Sequence, residues 1–474
     1  MPLSRIQATR MTNNLAAILF FSTIIAISSA QTSTPIDRIG VNYGKLGSNL
    51  PTPFHSIELI KSMKASMVKL YDADPETLKL LVGTDLHVSI MVRNEDIVAL
   101  AANETLANQW VHENVFAYYP TTMIRYIMVG NEVYSNHNIE QWDSLVLVMQ
   151  HIRNTLHAHD IHNIKVGTPL AMDILGSTFP PSNGTFRIDT LTTIVPLLQF
   201  LNRTGSYFFL DVYPYFPWSS NPDTIDLNFT LFKGNITYVD PTSNLTYTNL
   251  LDQMLDSVYF AMSKLGFSNI PIFIAETGWP NQGDLDQPGA NEYNAATYNR
   301  NLIKKIVADP PIGTPARPGT ILPTFLFSLF NENLKDGPKT ERYWGLLKPD
   351  GTPVYPIDLT GNQTVFGPLK EPTNNHGYKG KLWCVVDKLA NTTQLGPALR
   401  NTCSLLNGTC ESALGPGKHC YEPVSVVWHA SYAFNAYWAK FRNCGEPCYF
   451  GGLASLTTRN PSLGSSGVKI RIID

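Results

Sequence analysis

The chain has 474 residues, about three average domains by length alone, although a single α/β barrel runs to ~250 residues or more, so one large and one small domain are admissible. Lysine and arginine total 35 against 38 aspartate and glutamate, a formal charge of −3 with no long run of either sign, which argues against polyanion binding such as nucleic acid. Hydrophobic residues at 43% and aromatics at 11% supply a large core with rings left over for a binding cleft.

Arg5 and Arg10 precede a largely apolar run from Leu15 to Ile27 that closes on Ser28, Ser29 and Ala30. This reads as a cleaved signal peptide over residues 1–30, since the run is shorter than the ~20 residues of a spanning helix. Nine sequon asparagines agree with secretion: Asn103, Asn183, Asn202, Asn228, Asn235, Asn244, Asn362, Asn391 and Asn407.

From residue 38, short runs rich in Val, Ile, Tyr and Phe alternate with longer stretches of helical periodicity. That rhythm predicts parallel strands at Arg38 to Tyr43, Met67 to Tyr71, His87 to Val92, Arg125 to Val129, Ile164 to Gly167, Tyr207 to Tyr213, Ile270 to Ala275 and Thr324 to Phe330. Eight such strands close most economically as an α/β (β/α)8 TIM barrel over residues 31–359, with functional groups at the C-terminal strand ends. Residues 360–381, broken by Gly361, Gly367, Pro368, Pro372, Gly377 and Gly380, form a linker. All six cysteines, Cys384, Cys403, Cys410, Cys420, Cys444 and Cys448, fall in residues 382–474, which predicts a small disulfide-stapled domain. No metal-ligand spacing accompanies them, and the His151, His157, His159, His162 group reads as a solvated helix face.

Two glutamates stand where barrel strands end. Glu132 follows Val129-Gly130-Asn131, and Glu276 closes the run from Ile270 to Ala275 and precedes Thr277-Gly278-Trp279. Their strands, the fourth and seventh, face each other across a barrel mouth. One carboxylic acid and one carboxylate about 5 to 5.5 Å apart are what retaining glycoside cleavage needs.

The segments Ile39-Gly-Val-Asn-Tyr-Gly44, Leu70-Tyr-Asp-Ala-Asp74, Asn131-Glu132, Tyr213-Pro-Tyr-Phe216, Glu276-Thr-Gly-Trp-Pro280 and Phe330-Asn-Glu-Asn-Leu-Lys335 resemble family 17 glycoside hydrolases, in the family's order. The resemblance implies endo-hydrolysis of β-1,3-glucan with Glu132 as acid/base and Glu276 as nucleophile. A transglycosylase using the same pair and a non-catalytic glucan-binding wall protein are the alternatives. It further implies that Asn131 meets the sugar 2-hydroxyl, that Tyr213 orients Glu276, that Tyr43 lies beside them, and that Lys335 and Glu341 bind sugar, with Glu332 competing for that part. Trp279 and Phe216 offer apolar faces for pyranose rings. Many relatives carry asparagine where this chain has Asp211, a departure that bears on subsite preference.

Trp383-Cys384, Cys403, Cys410, Cys420-Tyr421, the run from His429 to Tyr437 and Cys448-Tyr-Phe-Gly-Gly452 resemble the family 43 carbohydrate-binding (X8) module. That implies bridges Cys384 to Cys448 and Cys403 to Cys410. Ser466 stands where the pattern expects a last cysteine, and Cys444 is extra, so a rerouted Cys420 to Cys444 bridge is expected. Tyr421, Trp428, Tyr432, Tyr437 and Trp438 are candidates for stacking on sugar, at least half of them for packing instead. The terminus from Val468 to Asp474 lacks a lipid-anchor signal. The expectation is a secreted, monomeric protein of the cell wall or apoplast, with β-1,3-glucan as partner, no membrane anchor, and no metal or organic cofactor.

Overall fold

The structure is a computed structural model that describes residues 38–461. The expected signal peptide, Ser466 and the chain terminus lie outside the described residues. Eight staves form the barrel: Ile39–Tyr43, Met67–Leu70, His87–Val92, Ile124–Val129, the split pair Lys165–Gly167 and Pro169–Ala171, Phe208–Asp211, Ile272–Thr277 and Thr324–Leu326. Neighbours pair in parallel. The split stave closes the ring, because its first half pairs with Ile124–Val129 and its second with Phe208–Asp211.

Both faces of the strands are buried, which is why they read as near-continuous apolar runs. Met67, Met91, Tyr126, Met128, Phe209, Phe273, Ala275 and Phe325 fill the barrel interior, with the Phe273 and Phe325 rings stacked at 5.2 Å. A larger outer core joins the strands to the helices. Helix starts are marked in the sequence. Thr52, Asn138, Asn249 and Asn291 cap Pro53–Ser62, Ile139–Ala158, Leu250–Lys264 and Glu292–Ile306, each side-chain oxygen accepting a first-turn N–H that the helix leaves unpaired. No helix among the described residues is long and apolar enough to cross a membrane.

Residues 360–381 contain no helix or strand, yet they are fastened to the barrel. Gly289 N donates to Asn374 O at 2.7 Å, Asn374 Nδ2 to Ala290 O at 3.0 Å, and Asn294 Nδ2 to Asn375 Oδ1 at 2.8 Å. The Arg300 guanidinium lies 4.0 Å from the Phe366 ring centre.

Beyond this strap, an antiparallel hairpin of Trp383–Val386 and Ala454–Thr457 packs on the helix Val426–Phe441 and shares a core with Thr392–Ser404, while the short helix Thr409–Leu414 packs elsewhere on Val426–Phe441. Bridges join Cys384 to Cys448 and Cys403 to Cys410. The rerouted bridge is not formed. Cys420 is buried against Ala413 and Tyr432, whereas Cys444 is exposed. From Tyr432 to Cys444 is 444 − 432 = 12 positions of helix and following turn, roughly 18 Å at a helical rise, and a disulfide needs Cα atoms within about 7 Å. Among the ring candidates, Tyr432 and Trp438 are core residues, while Tyr421, Trp428 and Tyr437 are half-buried.

Candidate active site

Regular alternation along Ile272–Thr277 puts Phe273 and Ala275 inside the barrel and turns Glu276 outward. A register shift intervenes: Ile274 pairs with Leu210, but Glu276, two residues on, pairs with Asp211, only one residue on. This bulge swings the Glu276 carboxylate into the mouth, a common use of a bulge at a barrel rim. Lys69 comes from the inward face of Met67–Leu70, one inward position above the core residue Met67 and one below Tyr71. Its Nζ donates to Glu276 Oε1 at 2.7 Å, and the Tyr71 hydroxyl donates to the same oxygen. Tyr213 donates to Oε2 at 2.6 Å.

Burial by itself pushes the Glu276 carboxyl up. The Lys69 charge and the hydrogen bonds from Lys69, Tyr213 and Tyr71 outweigh burial and hold it below the usual carboxylate range. Burial, then the charge of Glu276, lifts both phenols well above their ordinary range, so Tyr71 and Tyr213 remain donors. Glu276 is therefore an oriented carboxylate.

Glu132 is built differently. It has φ +49° and ψ +39°, the left-handed region that costs a non-glycine residue roughly 1–2 kcal/mol. Gly130 before it has φ +68°, and a Cβ there would stand 2.5 Å from Val133 Cγ2 and 2.8 Å from Ile97 Cδ1. The turn is pinned by Asn94, whose Oδ1 accepts from Asn131 N at 2.7 Å and whose Nδ2 donates to Asn131 O at 3.0 Å. The Glu132 N–H reaches Pro169 O at 3.1 Å. Burial, followed by the charge of Glu276, pushes its carboxyl up to about 7 against the opposing pull of Lys69. Glu132 thus keeps a proton at mildly acidic pH.

The two glutamates line one open cavity of about 480 Å³ together with Asn131, Tyr213, Lys335 and Glu341. Lys69 Nζ donates to Asn131 Oδ1 at 3.2 Å, which leaves the Nδ2 end of that amide to face a ligand. Lys335 stands 3.9 Å from Glu332 Oε2 and 4.0 Å from the Phe327 ring centre. Glu332 also accepts from Leu46 N at 2.7 Å and lines a neighbouring cavity. Burial raises the Glu341 carboxyl, with Lys335 opposing.

Two of the expected site residues lie elsewhere. Tyr43 is buried and faces the neighbouring cavity beside Glu332, with its ring edge-on to Phe330. Trp279 is wholly buried and touches no ligand space: its Nε1 donates to Gly289 O at 2.8 Å and its ring packs among Tyr215, Trp218 and Tyr298. Phe216, 45% exposed, faces the cleft, beside Trp344, which lines it too. Lys69, Asn94 and Trp344 stand in none of the family-like segments, and Tyr71 stands in Leu70-Tyr-Asp-Ala-Asp74 with no role attached to it. For Lys69 a signal exists, a lysine at an inward position of an otherwise apolar strand. Among the described residues no His, Cys, Asp and Glu group is arranged to hold a metal ion.

The barrel matches the model for glycosyl hydrolases family 17 over residues 39–359, and residues 382–455 match the X8 domain. A probable glucan endo-1,3-beta-glucosidase, A6, of Arabidopsis thaliana is 58% identical over 427 residues, covering 90% of this chain and 89% of that protein. Glucan endo-1,3-beta-glucosidase 7 of the same plant is 37% identical, covering 94% and 87%. Among solved structures, CJP38, a beta-1,3-glucanase and allergen of Cryptomeria japonica pollen, superposes with a TM-score of 0.65 at 39% identity, covering 68% of this chain and 99% of its own. A plant beta-glucan endohydrolase gives 0.62 at 35% identity, covering 67% and 99%. The chain belongs to glycosyl hydrolases family 17 and carries an X8 domain behind its barrel.

Proposed function

We propose that this protein is a retaining endo-glucanase that cleaves internal β-1,3 linkages, with Glu132 as acid/base and Glu276 as nucleophile. The observation that carries the reading is the unequal surroundings of two carboxyl groups in one cleft: Lys69, Tyr71 and Tyr213 all donate to Glu276 and favour its ionised form, while burial beside that charge pushes Glu132 up to about 7. Glu132 gives its proton to the leaving glycosidic oxygen while Glu276 attacks the anomeric carbon. The Glu132 carboxylate then takes a proton from the water that releases the glycosyl-enzyme. Asn131 Nδ2 donates to the sugar 2-hydroxyl in this reading, and Phe216 offers an apolar face. The β-1,3 linkage rests on the names of the relatives, and the open cleft suits cleavage within a chain.

The X8 domain holds the enzyme on insoluble glucan and so raises the local substrate concentration. A secreted, N-glycosylated, monomeric wall protein fits the exposure of all nine sequon asparagines. The test is product analysis on laminarin and mixed-linkage glucan with Glu276→Ala beside the wild type. Shorter β-1,3 oligomers from the wild type, and at least a ~10³-fold loss in the variant with glucan pull-down retained, are expected. Longer products mean transfer, and full activity in the variant removes Glu276 from the role.

A further inference from the structure

Asp211 ends the strand Phe208–Asp211 and lines the cleft beside both glutamates, with its side chain fully buried. An ammonium has three N–H donors, and those of Lys69 have three acceptors in reach: Glu276 Oε1 at 2.7 Å, Asn131 Oδ1 at 3.2 Å and Ala275 O at 3.4 Å. Asp211 Oδ1 is left 4.0 Å from Lys69 Nζ, outside hydrogen-bond range. Neither of its oxygens has a donor among the described residues. A second carboxyl, that of Glu132, lines the same cavity and bears on it, and two carboxyls bond only when one of them carries a proton. The groups that face it are Lys69, Tyr71, Glu132, Tyr213 and Glu276. The one cation there is committed to Glu276, and both phenols point their protons at Glu276 as well. An ionised Asp211 at this place would be buried, donorless and next to two other acids.

We infer that Asp211 works as a neutral carboxylic acid whose O–H bonds Glu132 and stabilises the carboxylate that Glu132 becomes once it has given up its proton. Burial, then the charge of Glu276, holds the Asp211 carboxyl well above the usual range, in agreement with that geometry. Asp211 is a positioning residue that acts through Glu132, and the inference rests on the acid/base reading of Glu132. The proton of Asp211 stays in place during the reaction. Only the Glu132 proton moves, out to the leaving oxygen and back from water.

The sign of the effect follows. Losing the donor leaves the Glu132 carboxylate less stabilised, so its pKa rises. Losing an anion instead would make that pKa fall. The test is the pH profile of kcat/KM for Asp211→Ala and Asp211→Asn, with infrared difference spectra of wild type against Asp211→Asn at pH 8, above the Glu132 value of about 7. Asp211→Ala is expected to move the basic limb up by about one unit and lower kcat about 10-fold, the range of a hydrogen bond to a charged group. The asparagine amide restores a donor, so Asp211→Asn should move the limb less than half as far. The wild type at pH 8 should show the carbonyl stretch of a protonated carboxyl that Asp211→Asn lacks. A limb that moves down in either variant, equal shifts in both, or no lost carbonyl band overturns the inference. If the wild type cleaves no glucan, the acid/base reading fails by itself, and the infrared band still decides whether Asp211 carries a proton.

Discussion

The two walls of the cleft hold the same side chain in opposite states, and the contrast lies in donors rather than in depth. On the Glu276 wall, Lys69, Tyr71 and Tyr213 converge on the two carboxylate oxygens. On the Glu132 wall the neighbours are acids, Asp173, Asp211 and Glu341, and the cation that acts on Glu132, Lys69, is bonded to Glu276. Both carboxyls are pushed up by burial. Only one has the hydrogen bonds that reverse it. A site can therefore set an acid and a carboxylate side by side by allotting donors unequally, and the more buried of the two, Glu276, is the one held ionised.

Lys69→Met is the largest way to break that asymmetry. It removes the cation from a buried pair, a loss of about 3 kcal/mol or more, so kcat/KM should fall by on the order of 100-fold. Because the Glu276 carboxyl then loses its strongest support, the acid limb of the pH profile should move to higher pH. An unmoved acid limb would show that the tyrosines alone keep Glu276 ionised. A smaller effect is expected from pH itself. Glu132 must be protonated to act as the acid, and its carboxyl sits at about 7, so kcat/KM should fall about 10-fold between pH 6 and pH 8. An activity that stays flat across that interval would mean the acid is another group.

The barrel was legible from sequence because its staves are buried on both faces and so stand out as apolar runs. Their ends were less legible: the ladders stop at Leu70, Asp211 and Leu326, short of the expected Tyr71, Tyr213 and Phe330, since the rim residues leave the ladder to turn into the mouth. Glu132 and Glu276 could be placed at strand ends by counting, but the bulge that turns Glu276 inward depends on pairing with a strand some sixty residues away. Trp279 shows the limit most clearly. It stands three positions after Glu276, yet Gly289, 10 residues on, and the rings of Trp218 and Tyr298, from two helices, draw it into the core. Lys69 was hidden for the opposite reason. A lysine in an apolar strand has no motif, and its task appears only once Asn131 and Glu276 are brought to it. Cys420 and Cys444 were matched by elimination, which ignores the length of helix between them.

Tyr213→Phe is the finest probe of the contrast between the walls. It deletes one of the donors on Glu276, the 2.6 Å bond to Oε2, and leaves Lys69 and Tyr71 on Oε1. A hydrogen bond to a charged group contributes about 1.5–3 kcal/mol, but Glu276 lines the open cleft, where water takes over part of the donation. The expected loss in kcat/KM is therefore about 5-fold, with the acid limb moved up by less than one unit and the basic limb, which belongs to Glu132, left in place. The two limbs answer separately because the donor acts on one wall only. If Tyr213→Phe moves the basic limb instead, the tyrosine serves Glu132, and the partition of donors between the walls is wrong.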